Sequence, residues 1–524
     1  MHISLINAFF TTNWIINMTS TQEPINNLVI VGGGTAGWIA AATLGNIFKQ
    51  TDMRIELIES DEIGIIGVGE ATIPPFMATI RSLGIDEVEF IKATQASFKW
   101  GIKFEDWRVK GESYFHPFGS LGRSIDGHDF YQLWLKSQSE GDTTSLMAHS
   151  PEAILSEHGR FFLPFNAMNT PLAGAQYALH LDSALVAKFL RNFAEKLGVI
   201  RTEGKVVKVQ KNAKGEIRNL KLKAGQEVTG DFFIDCSGFQ GLLIEQSLET
   251  GYEDWSEYLP CNRAVAVQSE NVGATLPYTI SKAQEAGWTW RIPLQHRTGN
   301  GYVYSDKYCS DEQAIKTLLS GVQGKLIGQP RVIPFVTGIR KQVWNKNCLA
   351  LGLAQGFLEP LESTAIHLVS KTLALFVRMF PDKQGDQVQT DEFNRRVRAD
   401  YAEIRDFLVL HYCTTDRDDS EFWRYCKNMP IPDSLQHKIA FFCVAGGLIP
   451  GVEELFQPTS WYAVFTGMGV APKHYNPTVD ALDYPKLKSS LQSGQRAIEA
   501  IVKKQPSHDD FIREYCLASK YNLG

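Results

Sequence analysis

The feature that most constrains this chain is a glycine cluster at the end of a short apolar run. Leu28-Val29-Ile30-Val31 leads into Gly32-Gly33-Gly34-Thr35-Ala36-Gly37, and Ile39-Ala40-Ala41-Ala42-Thr43-Leu44 follows with helical composition. A strand that turns through glycines into a helix opens a βαβ unit whose helix N-terminus faces a phosphate. Gly32 permits the tight turn, Gly34 lets the backbone approach a pyrophosphate, and Gly37 lets the helix lie close to the strand. The next apolar run, Arg54 to Glu59, ends in an acid 22 residues beyond Gly37. That is where a dinucleotide fold places the carboxylate that holds the ribose hydroxyls. A glycine turn needed only for close helix–strand approach is the weaker reading, because strand, helix and distal acid are all in register.

The rest of the chain returns to this unit more than once. Ser183 to Leu197 has a helical pattern, Lys205 to Gln210 and Ile217 to Leu222 alternate like exposed strands, and Asp231 to Gly238 is a buried strand closing on Asp235 and a glycine. Cys348 to Ala354 is another buried run, leading into a helix that begins near Thr364. Beyond it, Phe393, Val397, Tyr401, Ile404 and Leu408 recur at spacings of three and four and mark one buried helix face. No second strand–glycine fingerprint is present to hold a nicotinamide nucleotide, which favours FAD as the resident cofactor with reducing equivalents delivered from outside. The expected fold class is α/β: a Rossmann-like, FAD-binding flavoprotein fold of the flavin monooxygenase type with a mostly helical substrate subdomain. Residues 1–24 are expected to be a disordered extension. Residues 25–370 form the FAD module, with inserted substrate-pocket segments near 111–180 and 240–330, and residues 371–524 form a mainly helical cap over the pocket.

Composition excludes several function classes. The 52 basic and 58 acidic residues leave a net charge of −6, which offers no footprint for nucleic acid or an anionic membrane surface. Eight cysteines without a C-x-x-C pair are expected to be reduced, in a cytoplasmic protein, and twelve scattered histidines form no metal signature. No stretch has eighteen uninterrupted apolar residues. Leu5 to Ile16 is apolar but has no preceding Lys or Arg and no cleavage site, so Met18 is the expected start rather than a secretory signal. Aromatic residues make up 11% of the chain, enough for an aromatic-lined pocket.

Five ordered strings together resemble the flavin-dependent halogenases of the tryptophan halogenase family, over nearly the whole chain from about Asn27 to Lys488. They are Gly32-Gly33-Gly34-Thr35-Ala36-Gly37-Trp38; Gly67-Val68-Gly69-Glu70-Ala71-Thr72-Ile73-Pro74; Phe98-Lys99-Trp100-Gly101-Ile102-Lys103-Phe104; Trp288-Thr289-Trp290-Arg291-Ile292-Pro293; and Glu362-Ser363-Thr364. The resemblance implies that reduced FAD, supplied by a separate flavin reductase through diffusion, is used with oxygen and a halide co-substrate, bromide or chloride, to make hypohalous acid. It implies FAD contacts at Gly32, Gly34, Thr35, Ala36, Gly37, Glu59, Val68, Ala71, Val206, Asp235, Leu353 and Leu368. Halide would sit at Thr364 and Ala365, where many relatives have Gly at the second position. Trp288 and Trp290 would keep substrate from the flavin by volume.

Lys99 aligns with the family's essential lysine. Flanked by Phe98 and Trp100, an idle charge there would be costly, and desolvation would lower its pKa. Glu362 aligns with the second catalytic position, where a carboxylate stabilises the cationic ring intermediate and accepts its proton; Glu359 is the nearby decoy. His116, Phe118 and Phe456 match substrate-pocket aromatics. The stretch Gly446 to Phe456 lacks the inserted Tyr-Tyr pair that holds free tryptophan in relatives, so an open pocket for indole or a similar small aromatic is expected. A homodimer is compatible with this. The competing readings are a flavin-dependent aromatic hydroxylase and a flavin-binding protein without turnover.

Overall fold

The structure, a computed structural model, describes residues 23–62, 69–449, 451 and 454–519. Residues 1–22 of the expected extension, with Met18, and Val68 of the glycine-rich string lie outside them. Asn27–Val31 is the centre of a six-stranded sheet. It pairs in parallel with Arg54–Glu59 on one side and Phe232–Asp235 on the other. Ile200–Glu203 and Cys348–Ala350 extend the sheet outward, again in parallel, and Trp344–Asn345 adds a short antiparallel edge. Strands covered on both faces need continuous apolar runs rather than alternation, as Leu28 to Val31 shows. Three alanines, Ala40, Ala41 and Ala42, are fully buried on the helix Thr35–Phe48 and let it lie close.

The glycine turn is held by sterics at two points. Gly32 has φ +116°, and a Cβ there would fall 2.2 Å from the Cys236 carbonyl oxygen; a Cβ on Gly37 would fall 1.9 Å from the Gly32 oxygen. Gly34 is different: a Cβ there meets no atom within 4 Å. Two glycines therefore serve the fold, and the third leaves space at the helix start.

A second, seven-stranded sheet is built from Leu326–Pro334, Arg263–Ser269, Thr298–Tyr304, Gly287–Pro293, Thr279–Gln284, Gly101–Glu105 and Ser113–Pro117, in that order. Its strands come from residues 101–117 and 263–334 and so overlap the inserted segments expected near 111–180 and 240–330. A small sheet of Gly69–Ala71, Ala178–Asp182 and Ser97–Lys99 carries Lys99, and Gly69 abuts Gly299 and Ile292 of the larger sheet.

Helices dominate after residue 365. On Gln387–Cys413 the expected face of Phe393, Val397, Tyr401, Ile404 and Leu408 is buried, but so are Phe407, Val409, Leu410, His411 and Tyr412. The last turns of this helix are thus enclosed on every side, and its polar members there are core residues. The final helix, His508–Tyr515, packs on Phe98: His508 Nε2 accepts from the Phe98 amide, and Phe511 sets its ring against Phe98. It supports the strand that carries Lys99. No helix among the described residues is long and apolar enough to cross a membrane.

The glycine geometry yields a paired expectation. Gly37→Ala should lower the melting temperature, since forcing a methyl into a filled site costs ~1–3 kcal/mol, while Gly34→Ala should melt like the wild type in the same calorimetric scan. Equal melting temperatures for both would contradict this division of roles.

Candidate active site

The glycine turn and the end of the second strand form the nucleotide end. Helix Thr35–Phe48 starts at Thr35 with Gly34 as its cap and no side-chain cap bond, so free amides face the open space at Gly34. That cradle fits a pyrophosphate. Glu59 turns its carboxylate to Gly33, where a Cβ would lie 1.6 Å from its oxygen, and accepts from Trp38 Nε1 and from Arg201 Nε. Its remaining lone pairs can accept from ribose hydroxyls. The Gly352–Ala354 turn, which carries Leu353, approaches the glycine-turn helix at Gly352, where an added Cβ would lie 2.8 Å from the Ala36 methyl. Leu368 is buried on helix Ala365–Arg378, Ala71 is half-buried in Gly69–Ala71, and Val206 begins a separate small sheet two residues after Gly204, whose amide donates to the Glu59 carbonyl. The carboxylate of Asp235 accepts from the amides of Ser237, Leu243 and Ile244 and pins the loop after its strand.

Lys99, Glu362, His116, Phe118 and Phe456 come together although they are far apart in sequence. Lys99 ends the strand Ser97–Lys99, is fully buried, donates from Nζ to Ser363 Oγ at 3.0 Å and lies 4.9 Å from the Phe118 ring centroid. Burial draws its pKa down to about 7, against the upward pull of Glu362. Glu362 is also fully buried. Its Oε2 is 2.8 Å from His116 Nδ1, and its Oε1 is 2.9 Å from His411 Nε2, without the alignment of an N–H hydrogen bond. Burial opposes ionisation of Glu362, but the charge and hydrogen bond of His116 and the approach of His411 prevail and hold its carboxyl at about 2. His411 in turn meets Tyr114 Oη at 2.6 Å through Nδ1. Ser363, between Glu362 and Thr364, has φ +60°, a left-handed conformation uncommon for a non-glycine residue and typical of functional turns.

The His116 ring lies 5.5 Å from Phe407 and 6.2 Å from Phe456, and the latter two stack at 3.8 Å. Thr364 caps helix Ala365–Arg378 without a side-chain bond, and Ala365, its first residue, is exposed. Trp288 and Trp290 lie on Gly287–Pro293 with centroids 6.1 Å apart; the Trp290 ring crosses Gly301, and Trp288 Nε1 donates to Glu359. Glu359 therefore belongs to the tryptophan side of the site rather than to the Glu362 cluster.

Sequence reasoning missed His411, Tyr114, Phe407 and Tyr412. Three of them share one helix, and the only available signal was polar residues in the strongly apolar run Phe407-Leu408-Val409-Leu410-His411-Tyr412. Tyr114 lies two residues before His116 on the strand Ser113–Pro117, and nothing in its local composition marks it.

Comparison with known proteins agrees with this arrangement. The tryptophan halogenase family model matches residues 27–484. A tryptophan 6-halogenase of Streptomyces albogriseolus is 34% identical, covering 94% of this chain and 98% of its own. Two solved flavin-dependent halogenases superpose closely. One from Xanthomonas campestris is 44% identical, with TM-score 0.91, covering 95% of this chain and 99% of its own. The other, from a Brevundimonas species, is 42% identical, with TM-score 0.90, covering 94% and 99%.

The depressed pKa of Lys99 makes a stability prediction. Between about 7 and the free-lysine value of ~10.4 the unfolded chain holds a proton that the folded one has released, so stability rises with pH across that window. Lys99→Met should therefore raise the melting temperature at pH 6–7, with the gain shrinking towards pH 10. A gain independent of pH, measured by differential scanning fluorimetry, would mean that Lys99 is not buried as an unfavourable charge.

Proposed function

This chain belongs to the tryptophan halogenase family and is a flavin-dependent halogenase, and on that premise we propose that it halogenates an indole-like aromatic through Lys99 and Glu362. The observation that carries the reading is the joining of a lysine at about 7 and a carboxylate at about 2 through Ser363, beside the rings of His116, Phe118 and Phe456. A buried lysine that can shed its proton near neutral pH, next to a buried carboxyl that stays ionised, suits an electrophile-handling donor and a proton acceptor.

When bound at the glycine turn, reduced FAD from a separate reductase supplies, with oxygen, the oxidising power that turns bromide or chloride into hypohalous acid. Thr364 and Ala365 hold the halide at the free amides that open helix Ala365–Arg378. Trp288 and Trp290 keep the aromatic substrate away from the flavin, so only the small oxidised halogen reaches Lys99. Lys99 Nζ donates to the oxygen of hypohalous acid. As a ring carbon takes the halogen, the O–halogen electron pair stays on oxygen, which takes the proton that Lys99 Nζ donates and leaves as water. Glu362, ionised throughout the working pH range, stabilises the cationic ring and accepts its proton. His116 serves twice, as a ring beside the substrate and as the hydrogen-bond partner that keeps Glu362 charged. Without the inserted Tyr-Tyr pair, indole or another uncharged electron-rich aromatic suits this pocket better than free tryptophan.

The test combines purified protein, FAD, a flavin reductase, NADH, oxygen, bromide or chloride, and indole or tryptophan, with products read by mass spectrometry. Halogenated indole exceeding halogenated tryptophan is expected. Oxygenated product without halogen would establish the hydroxylase reading, and no product with any halide a protein without turnover. Lys99→Ala should abolish halogenation with FAD binding intact, and Glu362→Gln should slow it ~10²-fold or more, the worth of a positioned base. Wild-type rates in either variant would remove that residue from the mechanism.

A further inference from the structure

Glu359 lies three residues before Glu362 and takes part in none of these steps, yet it is a fully enclosed carboxyl. Its Oε2 accepts from Trp288 Nε1 at 3.0 Å and from the Tyr412 hydroxyl at 2.6 Å, and its Oε1 is buried without a hydrogen-bond partner among the described residues. Burial pushes its carboxyl up to about 7, against the hydrogen bonds of Tyr412 and Trp288. Such a group is costly to enclose, so its value lies in what it holds. The other ring contacts of Trp288 are aromatic: Trp107 at 6.4 Å and 45°, and Trp290 at 6.1 Å and 55°. Tilted ring contacts leave an indole free to slide or tip, whereas a hydrogen bond to Nε1 fixes its direction. Tyr412, which shares the same oxygen, is itself set between Trp107 and Trp423, so the acceptor is braced from the far side. Glu359 also opens the turn Glu359-Pro360-Leu361-Glu362-Ser363-Thr364, the segment that carries the proton acceptor, the Lys99 partner and the helix start.

We propose that Glu359 is a positioning residue that locks the Trp288 indole to this turn, so that the barrier in front of the flavin and the groups that deliver halogen stay in register. The inference rests on the reading of Trp288 as part of that barrier. Loss of the bond lets the indole move, and oxidising equivalents escape as hydrogen peroxide instead of reaching the aromatic substrate as halogen.

Glu359→Leu removes the acceptor, and Trp288→Phe removes the donor while keeping a ring. In protein labelled with 15N-tryptophan and free of flavin, the Trp288 indole N–H should exchange with solvent roughly tenfold faster in Glu359→Leu, as expected for one lost hydrogen bond. In the loaded enzyme with bromide and indole, halogenated product per oxygen consumed should fall severalfold in each single variant, with peroxide rising, and no further in the double variant. Glu359→Gln, whose amide oxygen still accepts, should restore most of that yield. Unchanged exchange and unchanged yield in Glu359→Leu overturn the proposal. If that variant does not fold, an unchanged yield in Trp288→Phe does the same. Trp288→Ala separates the two layers: if it too keeps the wild-type yield, the barrier reading fails and the proposal with it. If it uncouples while Glu359→Leu does not, only the positioning role fails.

Discussion

A carboxylate that stays charged in the protein core sets the terms for the rest of this structure. Glu362 has no access to water, and burial alone would drive it to the neutral acid, useless as a proton acceptor near neutral pH. Keeping it ionised takes an imidazole on each side, one hydrogen-bonded to Oε2 and one in close approach to Oε1. They come from unrelated parts of the chain, His116 from the second sheet and His411 from the long helix Gln387–Cys413. The helix must therefore run through the core rather than over it, which explains why its last turns are enclosed on every side. The same demand places the second sheet against the turn that follows Cys348–Ala350.

The turn Glu359–Thr364 converts this requirement into a site. Two carboxyls three residues apart experience opposite environments: Glu362 meets two imidazoles and is held at about 2, while Glu359 meets an indole and a phenol and is pushed to about 7. The left-handed Ser363 turns the chain so that its hydroxyl reaches Lys99 while the next residues open a helix. A straight continuation of either strand or helix would place these groups on one line; the strained residue lets them face separate partners.

How much of this the sequence revealed follows from the range over which each interaction acts. The nucleotide end was legible because its constraints are local: glycine sterics, a continuous apolar strand and an acid at fixed spacing all lie within Leu28 to Glu59, and the structure places them as expected. Lys99, Glu362, Trp288 and Trp290 were legible only as ordered strings, since nothing in their local composition says that they meet. His411 and Tyr412 were hidden for a physical reason. On a helix buried on all sides, polar residues do not break a periodic pattern, because there is no solvent face to contrast with. Glu359 looked like a decoy because spacing alone cannot tell which of two nearby acids faces the histidines. The second sheet was not legible as one unit, since it depends on pairing between distant segments, Thr279–Gln284 with Gly101–Glu105.

The charges around the pocket also bear on what it accepts. Phe456 stacks on Phe407, and the ionisable groups beside it already have partners: Glu403 accepts from the amides of Leu455 and Phe456, and Lys438 pairs with Glu454 while lying over the Trp461 ring. Glu403 cannot turn to an incoming ammonium without freeing the backbone that positions Phe456, and Lys438 cannot turn to a carboxylate without abandoning Glu454. Recruiting either would leave a partly buried partner unsatisfied, a loss that offsets much of the gain from binding a zwitterion. An uncharged aromatic makes no such demand. On the proposed reading its ring would need only the faces of His116, Phe118 and Phe456, which already contact one another or Phe407.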